Sequence, residues 1–183
     1  PVFDLEKLSW LNGLWIRENL STEQLADRLQ DWALNREGLL KVLPHAQKRM
    51  ETLSDFAPLT SFMVSGMLPL TTESFAGQKI EDDKLKQVLQ FALWRLEGLR
   101  VWERDEIFQA LKSLADQLEI KMKDFNAPLF VAIAGTVSSF SVMDSMEMLG
   151  PDMSRARLRH AVNLFGAPGK KQLKKLEKAY AAL

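Results

Sequence analysis

Apolar and polar positions follow a helical period along nearly the whole chain. Between residues 81 and 100, Leu85, Val88, Leu89, Ala92, Leu96 and Leu99 share one stripe, with Lys84, Lys86, Gln87 and Gln90 off it. This i, i+3, i+4, i+7 spacing predicts an amphipathic helix with one face in a core. Residues 103–118 repeat the pattern with Ile107, Leu111, Leu114 and Leu118, and Glu103, Asp105 and Glu106 suit the positive end of that helix. Ser21 followed by Gln24 predicts a capping box for a helix using Leu25, Leu29 and Trp32. Ser154 is expected to cap a segment with Leu158, Val162 and Phe165 on one face, and Pro168-Gly169 to open a last helix using Leu173, Leu176 and Tyr180. Only Leu129 to Ala134 has a strand-like composition, and it is short enough to be a buried helical turn. Gly66, Pro69, Thr71, Thr72 and Gly77 interrupt the rhythm. The expected architecture is therefore all-α: a sub-bundle over 1–67, a connector over 68–77, and a second sub-bundle over 78–183. Most of the five tryptophans and eight methionines are expected on inner faces.

At 183 residues with 46% apolar and 26% charged side chains, the chain is globular and long enough to bury a core. It has no cysteine, which excludes disulfides, thiolate zinc sites, iron–sulfur clusters and cysteine nucleophiles, and fits a reducing compartment. The near-apolar run from Pro128 to Gly135 falls far short of the roughly 18–20 residues a membrane span needs. No basic-then-apolar leader opens the sequence, so a cytoplasmic protein is expected. Its first residue is Pro1 rather than Met, which predicts a piece of something longer.

The 24 basic and 24 acidic residues cancel, but they are not evenly spread. From Ser154 to Leu183 there are eight Lys and Arg against Glu177 alone, a net +7 that leaves −7 on the rest. Such a block of charge speaks to partners more than to fold. Enzyme signatures are missing: His45 and His160 stand alone without ligand spacing, and no catalytic or metal residue is assigned. Gly166-Ala-Pro-Gly169-Lys170-Lys171 reads either as a glycine-bounded phosphate loop or as a turn before a solvated helix. Ser138, Ser139, Ser141 and Ser145 lack a base and read as a polar loop. On the residues alone this is a helical binding module with one basic end. Nucleic acid is one partner class. The other is an acidic protein docked by a free-standing interaction module.

Phe3, Glu6-Lys7-Leu8, Trp10-Leu11-Asn12-Gly13 and Trp15-Ile16-Arg17 resemble the segment that follows the catalytic half of bacterial glutamyl-tRNA synthetases. Arg49, Thr52 and Leu53 match an Arg-x-x-Thr-Leu pattern of that family. A third match is Pro128-Leu129, Ala132, Gly135 and Leu149-Gly150, then Arg157-Leu158 and Ala161. These pieces, in order over residues 3 to about 165, cover nearly the whole chain. The resemblance implies an all-α anticodon-binding region of two helical subdomains, with a class I catalytic half upstream. The full enzyme would use ATP and magnesium to attach glutamate to its tRNA. No cofactor is implied within this chain, whose partners would be glutamate tRNA and the catalytic half, and a monomer is expected.

In the family, the arginine at the place of Arg49 reads the third anticodon base. Unstacked bases expose their Watson–Crick edges, and a guanidinium fork matches the adjacent O2 and N3 acceptors of cytosine. Guanine presents donors there, so such an enzyme separates glutamate tRNA, ending in C, from glutamine tRNA, ending in G. The other reading of Arg49 is a surface arginine beside Lys48. Ser139 and Val142 occupy positions where the family often has Thr and Leu near the anticodon. Phe130 replaces a common arginine, Ala134 a threonine and Phe140 a proline. Phe130 and Phe140 either stack on a base or belong to the core. Lys48, Arg157, Lys170, Lys171 and Lys174 are expected to meet the RNA backbone, with Leu173, Leu176 and Tyr180 turned inward.

Overall fold

The computed structural model describes residues 4–136, 140–166 and 169–183. Within them lie nine α-helices: α1 (Leu5–Asn19), α2 (Thr22–Ala33), α3 (Arg36–Ala46), α4 (Phe56–Val64), α5 (Asp82–Glu97), α6 (Arg104–Gln117), α7 (Met122–Ala134), α8 (Val142–Leu164) and α9 (Lys170–Ala181). Three 3-10 turns, Gln47–Arg49, Leu53–Asp55 and Thr72–Phe75, complete the regular structure, and no strand occurs among the described residues. The protein is all-α, and the strand-like run 129–134 forms the end of α7, closed by Gly135 at φ 75°.

Packing divides the chain into two units, Pro1–Pro44 and His45–Leu183. The division falls well before the expected one at 67. The reason lies in the expected connector: Leu68, Leu70 and Phe75 are buried, and the Phe75 ring packs edge-on against Phe165 at 5.3 Å. Residues 68–77 are part of the second core, not a linker over its surface.

In the first unit, local signals specify the helices. The Asp4 carboxylate accepts from the Lys7 amide at 3.0 Å. The Ser21–Gln24 capping box forms as expected, with Gln24 N donating to Ser21 Oγ at 3.2 Å and Ser21 N to Gln24 Oε1 at 3.0 Å. Yet neither α1 nor α2 has a buried residue. Trp10 and Trp32 are 60% and 63% exposed, and Trp15 carries only Arg28 over its ring at 5.0 Å. The expectation that the tryptophans would lie inside is therefore corrected: three are exposed, and Trp94 and Trp102 are half-buried. Of the methionines only Met143 and Met146 are fully covered.

The second unit is built around α8, which packs on α5, α6 and α7. The stripe of α5 is buried at Leu85, Val88, Leu89, Ala92 and Leu96, as is that of α6 at Ile107, Leu111 and Leu114. Each of these Leu, Val and Ile side chains contributes about 1.5–3 kcal/mol through removal from water. A kink at Gly150 (φ 78°, ψ 170°) divides α8, and Pro151 opens the second half, where its missing N–H has no role. The helix start expected at Ser154 thus lies at Gly150. Ser154 is buried inside α8 and donates to Met146 O at 3.2 Å.

The second half of α8 carries Arg157, only 1% exposed. Its Nε donates to Gly66 O at 2.9 Å, and its terminal nitrogens donate to Gly66 O, Phe62 O at 2.5 Å and Ile133 O. These carbonyls lie at the C-terminal ends of α4 and α7, which lack helical donors and carry partial negative charge. Burial lowers the guanidinium pKa from its usual range to about 10, so it remains charged at neutral pH.

Candidate nucleic-acid interface

The Arg-x-x-Thr-Leu pattern is two consecutive tight turns. Arg49 ends the 3-10 turn Gln47–Arg49, Met50 is extended, and Thr52 precedes the turn Leu53–Asp55. The Asp55 carboxylate fixes this corner by accepting from the amides of Glu51 at 2.8 Å and Thr52 at 2.7 Å. Those donors, Thr52 first, hold its carboxyl below the usual carboxylate range. Leu53 stands 89% exposed at the tip.

Arg49 itself is exposed, its guanidinium carbon 5.6 Å from the centre of the Phe140 ring, within cation–π range. A long hydrogen bond runs from its Nη1 to His45 O at 3.4 Å. Phe140 is fully buried and bears edge-on against Phe62 and tilted against His45, both at 5.9 Å. Because Phe62 also gives its carbonyl to Arg157, the buried clamp supports the ring under Arg49. Phe140 therefore belongs to the core, yet its ring lies within reach of a surface cation.

Beside this stack is a cleft of about 420 Å³ lined by His45, Lys48, Arg49, Ser141 and Asp144. It offers the positive side chains of Lys48 and Arg49 together with one carboxylate. Asp144 Oδ1 accepts from Arg104 Nε at 3.2 Å, and Oδ2 lies 3.6 Å from His45 Nδ1. Arg104 also binds Asp105 at 2.5 Å, and these two carboxylates, Asp105 first, raise its pKa. No ion pair joins Arg49 to Asp144 among the described residues. An open guanidinium fork and a supported carboxylate in one cleft can present both donors and an acceptor to a flat polar ligand.

The other expected contact residues are scattered. Lys48 lines the cleft. Phe130 is half-buried on α7. Ser139 lies outside the described residues. Val142 follows the cleft-lining Ser141 but is 1% exposed, an apolar side chain taken up by the core rather than offered to a base. Arg157 is corrected most clearly. Its donors are consumed by helix-end carbonyls inside the protein, so it is no backbone contact. Lys170, Lys171 and Lys174 are exposed on α9. That helix docks through Tyr180, whose ring meets Phe91 at 5.2 Å and Trp94 at 5.3 Å and whose hydroxyl accepts from Arg95 Nε at 3.2 Å. Pro168 lies outside the described residues, and the loop carbonyls of Phe165 and Gly166 accept from Lys86 Nζ at 3.0 and 2.6 Å.

Sequence reasoning missed His45, Ser141 and Asp144. The i, i+4 relation of His45 and Arg49 was a usable signal; nothing local marked Asp144, which arrives from nearly a hundred residues away. Among the described residues no cluster of His, Asp or Glu could hold a metal ion, and no helix is long and apolar enough to cross a membrane.

A family model for the anticodon binding domain matches residues 24–162. The chain belongs to the anticodon-binding domain family. All 183 residues of this anticodon-binding region align with glutamate–tRNA ligases: 63% identical to that of Cellvibrio japonicus (strain Ueda107) and 60% to that of Saccharophagus degradans (strain 2-40), covering 36% of each. The glutamate–tRNA ligase of Marinomonas sp. (strain MWYL1) is 58% identical, with 37% of it covered. The chain thus spans just over a third of the length of the curated relatives it matches, corresponding to their C-terminal part. The cleft around Arg49 and the clamp of Arg157 both lie within the matched stretch.

Proposed function

We propose that this anticodon-binding region recognises the anticodon of glutamate tRNA, and that Arg49 reads its third base, on behalf of a longer enzyme that charges that tRNA with glutamate. The observation that carries the reading is the exposed Arg49 guanidinium at the rim of a cleft, held over the buried Phe140 ring. A cytosine entering the cleft offers N3 and O2 to the fork, whereas guanine turns N–H groups toward it. Holding the arginine on a packed ring reduces the side-chain freedom lost when the base binds.

Lys48, Lys170, Lys171 and Lys174 supply sequence-independent contacts to phosphates, which salt weakens. Phe130, half-buried, offers an aromatic face for stacking at the edge of α7. ATP and magnesium belong to the catalytic part of the enzyme. The enzyme works as a monomer in the cytoplasm. The test is binding of tRNA transcripts by the full-length protein. We expect glutamate tRNA with C as third anticodon base to bind more tightly than the same transcript with G. Equal binding to both, or to any polyanion of similar charge, would point instead to a basic docking end for acidic partners.

A further inference from the structure

We propose that Asp144 is a second specificity determinant in this cleft, accepting a hydrogen bond from the exocyclic amino group of the cytosine whose O2 and N3 face Arg49. The inference rests on the reading of Arg49 given above and extends it to a discrimination that arginine cannot make alone. Uracil also presents O2 as an acceptor, so a guanidinium fork retains one good contact with it. The two pyrimidines differ at the opposite end of the same edge, where cytosine carries an N–H donor and uracil a carbonyl oxygen. Only an acceptor fixed in the cleft can welcome one and reject the other, because a carboxylate facing a carbonyl oxygen leaves both unpaired and repelling.

Asp144 has the attributes this role requires. It lines the cleft with Arg49 and is not paired with it among the described residues. Its side chain is 16% exposed, enough to be reached from the cleft, and it is oriented by Arg104 Nε on one oxygen with His45 near the other. Each carboxylate oxygen has two lone pairs, so these neighbours leave acceptor capacity. Arg104 also offsets part of its negative charge, which eases the approach of an RNA phosphate chain. In the genetic code, C to U at the third anticodon base turns a glutamate anticodon into a lysine one. Acceptance of uracil is therefore a second error that the cleft must prevent, alongside acceptance of guanine.

The experiment compares kcat/KM of the full-length enzyme and its Asp144→Asn variant on transcripts with C, U or G at the third anticodon base. The asparagine amide can rotate to donate to the uracil carbonyl. We expect the preference for C over U to fall about tenfold or more, as for loss of one charge-assisted hydrogen bond, with the preference for C over G unchanged within about twofold. As a second measure, cytosine is replaced by pyrimidin-2-one, which lacks only the amino group. Wild type should lose about tenfold on this substrate and Asp144→Ala nothing further. The proposal is overturned if the C over U preference survives in Asp144→Asn, or if all three transcripts weaken together. It is also overturned if both proteins respond alike to loss of the amino group. A wild-type enzyme that separates C from U but not C from G would refute the role of Arg49 while supporting that of Asp144.

Discussion

Replacing Arg157 by methionine tests the internal framework of the second unit. The substitution keeps much of the side-chain volume and removes a buried cation, which by itself is favourable because burial of the charge is costly. It also strips the donors from three carbonyls, those of Phe62, Gly66 and Ile133, at the ends of α4 and α7. A buried carbonyl without a partner costs about 1–3 kcal/mol, so the three together outweigh the relief. We expect a net loss of about 3 kcal/mol, at the low end of what breaking a buried charged network costs. For a chain of this length that is a fall in Tm of roughly 6–12 °C. Urea and thermal unfolding followed by circular dichroism would measure it. The loss should not vary between pH 6 and 8, because the folded pKa of about 10 and the higher unfolded one both lie above that window. Only above pH 10, where the unfolded chain holds the proton more tightly, should wild-type stability rise with pH relative to the variant. A variant within 1 kcal/mol of wild type, or more stable than it, would refute the view that Arg157 clamps the helix ends.

Three further outcomes follow from the same geometry. Gly150→Ala should lower stability by about 1–3 kcal/mol in urea unfolding, because φ 78° with ψ 170° is nearly closed to other residues although nothing lies within 4 Å of an added Cβ. Acrylamide should quench most of the tryptophan fluorescence of this region, and replacing Trp10, Trp15 and Trp32 by Phe should remove most of that quenching. Replacing Lys170, Lys171 and Lys174 by Gln should weaken tRNA binding equally for all anticodon bases and reduce the slope of log K against log salt by roughly 2.

The helices were legible wherever one face meets a core. The stripes of α5 and α6 read correctly because burial and helical period coincide at Leu85, Leu89, Ile107 and Leu111. The same rule misplaced the tryptophans. Periodicity shows that Leu29 and Trp32 share a face of α2 but not whether anything in this chain covers it. The boundary at 67 rests on Gly66, Pro69, Thr71, Thr72 and Gly77, which mark breaks in the rhythm but not whether Leu68, Leu70 and Phe75 between them are buried. Arg157 read as a surface cation because a sequence does not reveal which carbonyls await a donor. The motif singles out Arg49 as a candidate, whereas nothing in the sequence places Asp144 in the same cleft or the Phe140 ring beneath it.

The most direct test of the central claim is the effect of Arg49→Gln on selection between C and G at the third anticodon base, measured by aminoacylation of matched transcripts with the full-length enzyme. The account predicts that the preference for C shrinks by about 1–3 kcal/mol, the scale of one bidentate base contact, while the fold and the contacts of α9 persist. An unchanged preference in a folded Arg49→Gln enzyme would contradict it.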